Sequence, residues 1–389
     1  MKILGLRNCY TENPARRRAD GYGGCGYYRM IKPAEEVAKV YDIDVWGRKF
    51  TEIEDTIQKQ WTYVFTHYDV IWTRYFDSAE VASWLFSCRD YFSKKLNKEI
   101  KVIVDIDDNY LDVDKSNPQY KVYEKGRAKR AHVGALFSLA DAITVSTEPL
   151  KERYQRHIKE LHGIDKPIYV IPNCNDIKDW DFKPAIKNPT KITIGYTGSV
   201  SHDDDLKLVL PAIKNLMEKY KNLHFQLLGI VQKGKVKVFF NDFTQEMLDR
   251  IDLVGATEMF TQYPEWLSKQ TWDIGIAPLC DTAFTRCKSH IKWMEYAMYK
   301  IPCVASRVYP YFMDIYGKET IIDDETGLLC EPHEWEKQLE RLILDEELRK
   351  RIGENAYNEV KDKWQYSNSG IKETWRQIES NLFATKENL

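Results

Sequence analysis

Short apolar runs alternate with longer amphipathic stretches along most of the chain. Residues 2–6 (KILGL), 43–47 (IDVWG), 69–73 (DVIWT), 101–107 (KVIVDID), 142–146 (AITVS) and 168–173 (IYVIPN) are apolar enough to predict covered strands. Between them, 78–95, 127–140 and 147–161 carry helical patterning. A polar, proline-containing stretch at 183–190 (KPAIKNPT) reads as a linker. The alternation then resumes. Strands are expected at 192–198, 223–229, 250–255, 272–279 and 302–306, and helices at 204–220, 264–270 and 288–300. Segment 333–361 is helical and strongly charged, and 371–383 is a helix with Trp375, Ile378 and Leu382 on its apolar side. This rhythm predicts an α/β protein with parallel sheets covered on both faces.

A chain of 389 residues is long enough for two ordinary domains. With 43% hydrophobic and 30% charged residues it belongs with folded globular proteins, not disordered ones. The formal charge of −2 exerts no global pull on nucleic acid, so any polyanion site is a local patch. Eight cysteines without a Cys-x-x-Cys pair argue for reduced thiols in a cytoplasmic setting, against a disulfide frame or a zinc site. We read no secretory leader at the start, and no run reaches the ~20 apolar residues of a membrane-spanning helix. Peripheral membrane contact stays open.

The densest candidate chemistry lies in 284–306 (FTRCKSHIKWMEYAMYKIPCVAS). Ile291, Met294, Met298 and Ile301 make one apolar helical face, and Pro302 cannot continue the helix. Arg286, Lys288, Ser289 and His290 gather before or within its first turn, where free N–H groups and the helix dipole favour anions. Phosphate is the expected ligand, with Lys292 adding charge, and Glu295 is placed to accept hydrogen bonds from sugar hydroxyls. Gly21, Gly23, Gly24 and Gly26 follow the first strand, where glycines let amides approach a ligand; a flexible turn is the plain alternative. Asp105, Asp107 and Asp108 end a buried strand, and open α/β sheets bind ligands beyond such ends. Asp107 and Asp108 suit a divalent cation, an acceptor hydroxyl, or merely a turn cap. Arg16, Arg17 and Arg18, with Lys121, Lys125, Arg127, Lys129 and Arg130, make either a phosphate-binding patch or ordinary solvated charge. Hydrolase elbows, zinc-protease and Walker motifs are absent from the sequence.

Segment 287–304 resembles the donor-site helix of retaining glycosyltransferases of family 4. Glu295, Tyr296, Ala297 and Met298, then Ile301-Pro302-Cys303-Val304, match the second half of that family's Glu-x7-Glu pattern, while Cys287 stands where its first glutamate falls. Gly195–Asp205 (GYTGSVSHDDD), Thr144–Glu148 and Ile171–Asp176 resemble further segments, as in divergent members from bacteria and tailed phages. Matches run from residue 2 to about 330. The family's usual basic pair after the Gly195 loop is missing; Lys207 is a weak stand-in.

The resemblance implies a GT-B fold, two Rossmann-like domains facing a cleft. The expected divisions are an acceptor domain at 1–183, a nucleotide-sugar domain at 184–365, and a helix at 366–389 packing back on the first domain. It implies transfer of a hexosyl or pentosyl group from a UDP- or GDP-sugar, with retention and without a metal. The donor would meet Gly23, Gly24, Gly198, Ser199, His202, Arg286, Lys288, Ser289, His290, Lys292 and Glu295, with Glu295 on the ribose and Cys287 facing the sugar. Catalysis would rest on Asp107, Asp108 and Lys288. Arg16, Arg17, Arg29 and Asp107 would meet the acceptor. That acceptor is a saccharide or glycoconjugate or, in the alternative, a hydroxymethylated DNA base. A non-catalytic nucleotide-sugar-binding protein is the third reading.

Overall fold

The computed structural model describes residues 1–6, 23–46, 57–76, 78–198, 202–229, 239–255, 262–313 and 317–383. The first half begins with β1 (Lys2–Leu6). The helix α1 (Gly24–Gly26) follows and runs through a π-helical turn (Tyr27–Ile31) into α2 (Lys32–Val37). Next come β2 (Asp42–Trp46), α3 (Ile57–His67), β3 (Val70–Arg74), α4 (Ala79–Leu96) and β4 (Lys101–Ile106). The short α5 (Tyr120–Tyr123), α6 (Ala128–Leu139), β5 (Ala142–Val145), α7 (Glu148–His162) and β6 (Ile168–Val170) complete it. The second half contains β7 (Ile192–Thr197), α8 (Asp203–Lys219), β8 (Leu223–Leu228), α9 (Gln245–Leu248) and β9 (Ile251–Val254). It continues with α10 (Tyr263–Ser268), β10 (Ile274–Ala277), α11 (Ile291–Ala297), β11 (Cys303–Ser306) and β12 (Leu328–Cys330). It closes with α12 (Trp335–Leu344), α13 (Glu346–Lys363) and α14 (Ile371–Phe383).

Two six-stranded sheets result, ordered β2-β1-β3-β4-β5-β6 and β12-β11-β10-β7-β8-β9, with every neighbouring pair of strands parallel. Each sheet reverses its winding once, at β1/β3 and at β7/β10. Such reversals open a crevice beyond the carboxyl ends of the strands. The strands are apolar on both faces because helices cover both: β4 is buried from Val102 through Ile106.

Local chemistry sets the element ends. Ser78 caps α4 by accepting from the Val81 amide, and Asn97 closes it at φ 49°. Asp345 ends α12 and caps α13 through the Leu348 amide, so the charged helical segment is two helices. The helix expected over 288–300 is α11, seven residues long; Thr285–Cys287 form a separate 3₁₀ turn and Lys288 is extended. At Gly195 a Cβ would lie 1.8 Å from the Trp272 ring, so glycine is what allows β7 to pass that indole.

Between β10 and α11 the chain reaches across to the first half. Phe284 and Cys287 pack in the same apolar cluster as Leu111, Leu136, Leu150 and Tyr154. Helix α14 also packs against the first sheet: Trp375 lies 5.0 Å from Trp72, ring centre to ring centre, beside Ile3, Met30 and Ile103.

Candidate functional site

The carboxyl ends of β7 and β10 meet the start of α11 and α8. Lys292, in the first turn of α11, has its ammonium 5.7 Å from the centre of the Tyr196 ring. Burial lowers its pKa to about 8, offset in part by Asp205, and it has no hydrogen-bond partner among the described residues. His202 Nδ1 lies 2.7 Å from Asp205 Oδ2, while Asp205 Oδ1 accepts the Cys280 amide at 2.7 Å. Burial, aided by Lys292, lowers the His202 pKa to about 3, so the ring is neutral and donates to Asp205. This face is a half-buried basic spot, where an incoming anion would hold Lys292 protonated.

The facing wall is the end of β4. Asp105 is wholly buried, bound by Arg29 Nε at 3.2 Å and Nη2 at 2.7 Å, by Arg74 Nη1 at 3.3 Å and by the Thr144 hydroxyl at 2.8 Å. Arg74 also reaches Asp107 at 2.8 Å. Burial alone would raise the Asp107 carboxyl, but Arg74 and Arg29 hold it at about 2. Asp107 is therefore a fixed anion, too weak a base to remove a proton near neutrality. Asp108 receives Lys288 Nζ at 3.3 Å, which joins the two walls.

Several expected site residues sit differently. Arg29 is expected at the acceptor but is wholly enclosed by Asp105, the Ile171 carbonyl and Asn173, so it has no open face. Arg286 is exposed and bidentate on Asp281, at 2.6 and 2.7 Å. The Gly198 amide donates to the Leu228 carbonyl at 3.1 Å, so it is held by the sheet, and a Cβ there would strike the Tyr196 ring. Ser289 accepts from Asn173 at 2.8 Å. His290 lies 4.0 Å from the Trp364 ring, and its buried Nε2 has no partner among the described residues. Gly23 caps and Gly24 opens the helical stretch after β1. In the lysine- and arginine-rich stretch after α5, Arg130 donates to the Leu111 carbonyl and Arg127 pairs with Glu124. Arg16, Arg17, Arg18, Gly21 and Ser199 lie outside the described residues.

The two ends of the Glu-x7-Glu pattern are both turned inward. Cys287 is expected to face a sugar but is buried in the first half's apolar cluster, its carbonyl accepting from Thr147 at 2.9 Å. A thiol suits that greasy place as a carboxylate would not. Glu295 is expected on a ribose but accepts from the Tyr28 hydroxyl at 2.9 Å and the Tyr263 hydroxyl at 3.0 Å. Burial raises its pKa to about 7, against the pull of those two bonds and of Lys292. Arg74, Tyr28 and Tyr263 were not singled out by the sequence; an arginine ending the apolar strand 70–74 was the one available signal.

Residues 176–359 match the family model of glycosyl transferases group 1. That match covers just under half of the chain. No curated protein matches it. Among solved structures, a glycosyltransferase from Rickettsia africae ESF-5 is 16% identical, with 99% of both chains covered and a TM-score of 0.57. The trehalose-6-phosphate synthase OtsA is 10% identical, again over 99% of both chains, at 0.58. A mutant of S. aureus TarM in complex with Fondaparinux, alpha-GlcNAc-glycerol and UDP is 16% identical at 0.53, over 81% of this chain. The chain spans 55% of the length of TarM. With the two opposed parallel sheets, these likenesses make the fold GT-B. Among the described residues no helix is long and apolar enough to cross a membrane.

Proposed function

We propose that the protein moves a sugar from a UDP-sugar to a hydroxyl of a saccharide or glycoconjugate with retention, as a divergent member of family 4. The observation that carries this is that Lys288 meets Asp108, near Asp107, with Lys292 close to Lys288, where the two sheets' carboxyl ends face each other. Charge grows on the leaving diphosphate as the sugar–oxygen bond breaks. Lys292, half-buried and uncommitted, is preorganised to stabilise that charge, with Lys288 beside it. The fixed Asp107 anion accepts a hydrogen bond from the attacking hydroxyl and aims it, without taking its proton. Closure of the halves excludes water, which would otherwise consume the donor. Donor binding needs no metal on this reading, and the seven described cysteines, all free, suit a reducing cytoplasm.

The test is release of UDP from UDP-glucose and UDP-N-acetylglucosamine with a saccharide acceptor, followed by NMR of the product's anomeric proton. Retention predicts the donor's own configuration; the opposite anomer would overturn it. EDTA should leave calorimetric UDP binding unchanged.

A further inference from the structure

A cavity of about 370 Å³ opens beside the cleft, between the loop after β4 and the segment after β10. Asp114 and Asn117 line one wall, Asp204, Asp205 and Thr282 the other, and Lys288 connects it to Asp108. Its size is at the low end of ligand sites, and its lining mixes the apolar Phe284 with hydroxyl, amide and carboxylate groups that could fix a ligand's orientation.

Two side chains show groups left over for a ligand. Asn117 is only 8% exposed; its Oδ1 accepts the Gln119 amide at 2.9 Å, but its Nδ2 donates to no described residue. A bound acceptor oxygen would take the place of solvent on that amide, adding one hydrogen bond to the ligand. Asp114 accepts the Thr282 hydroxyl through Oδ2 at 2.9 Å, while Oδ1 has no hydrogen bond among the described residues. A donor and an acceptor thus line one small polar cavity from a single loop.

We propose that this cavity binds a neutral pyranose unit of the acceptor, which rests on the transferase reading above. A sugar hydroxyl both donates and accepts, so one ring satisfies Asp114 Oδ1 and Asn117 Nδ2 together. Anions are disfavoured. Asp114, Asp204 and Asp205 line the space, and Lys288 is engaged by Asp108; Lys115 is the lining cation without a carboxylate partner among the described residues. The cavity therefore selects an uncharged saccharide over a phosphate-bearing chain such as DNA.

Saturation-transfer NMR with methyl glucoside and methyl galactoside, each at about 10 mM to reach millimolar dissociation constants, tests this on the full chain, with UDP titrated in parallel. The wild type should bind at least one glycoside. Asn117→Leu should weaken it about tenfold, the loss of one good hydrogen bond, with UDP affinity unchanged. Asn117→Asp, of nearly the same shape, should weaken it likewise and guards against misfolding of the leucine variant. Glycoside binding that is absent in the wild type, or indifferent to both substitutions, overturns the proposal. So does an oligonucleotide that displaces the glycosides. Failure of UDP to bind overturns the transferase reading and leaves the cavity to be judged by the glycosides alone.

Discussion

The hydroxyl of Tyr28 meets the carboxylate of Glu295 at 2.9 Å, joining the first helical stretch to the donor-site helix across 267 positions of sequence. Tyr263 holds the other carboxylate oxygen, so neither is open to solvent or to a ribose in this state. Two hydroxyls on one carboxylate are what a ribose diol would also offer. Nucleotide that uses Glu295 must first displace Tyr28.

Tyr28→Phe should therefore act on stability and on binding in opposite directions. Losing a hydrogen bond to a charged group costs about 1.5–3 kcal/mol, read from urea unfolding at pH 8. The loss should shrink at pH 5, where Glu295 is protonated. UDP affinity should rise if the displacement is real; an unchanged affinity would place the ribose elsewhere.

Glu295 should also leave a signature in the pH dependence of stability. Its folded pKa, about 7, lies above the ordinary value of 4.5. Between those values the folded chain holds more protons than the unfolded one, so stability falls as pH rises through that window. Glu295→Gln should remove this slope from melting curves recorded from pH 4.5 to 7.5. A slope that survives belongs to another group.

Phosphate affinity should reside in Lys292, not Arg286. Lys292→Gln should weaken UDP binding by about ten- to a hundredfold, the value of a charge-assisted bond. Arg286 is exposed and already paired, so Arg286→Ala should change it less than about twofold. Calorimetry of both variants decides this, and the reverse ranking would move the diphosphate to the 3₁₀ turn.

Restoring the family's glutamate should do harm. Cys287→Glu would put a carboxylate among Leu111, Leu150 and Tyr154 and should cost at least about 3 kcal/mol in chemical denaturation. A stable variant with faster transfer would show that the turn swings out during the reaction.

The fold was legible because parallel strands covered on both faces read as apolar runs, and eleven of the twelve strands overlap a predicted run before any pairing is known. Only the twelfth escapes. PCVAS was read as a strand and is β11, whereas Leu328–Cys330 is too short to stand out. The site was less legible because its decisive facts are long-range. Arg29 beside a glycine loop looks like a ligand residue until Asp105, 76 positions away, is seen to enclose it. Cys287 in a broken motif looks like a loss until its side chain is found in the other half's core. Pattern locates a residue on an element; what that element packs against decides which way the residue serves.

Trp375 against Trp72 has a consequence for how the chain is made. Synthesis proceeds from the amino end, so Ile3, Trp72 and Ile103 leave the ribosome long before the helix that covers them exists. At cellular elongation rates that interval is on the order of tens of seconds. Through it that face of the nascent first sheet has only the helical stretch after β1 to cover it. Helix Ile371–Phe383 thus supplies cover that this part of the first sheet lacks until late in synthesis.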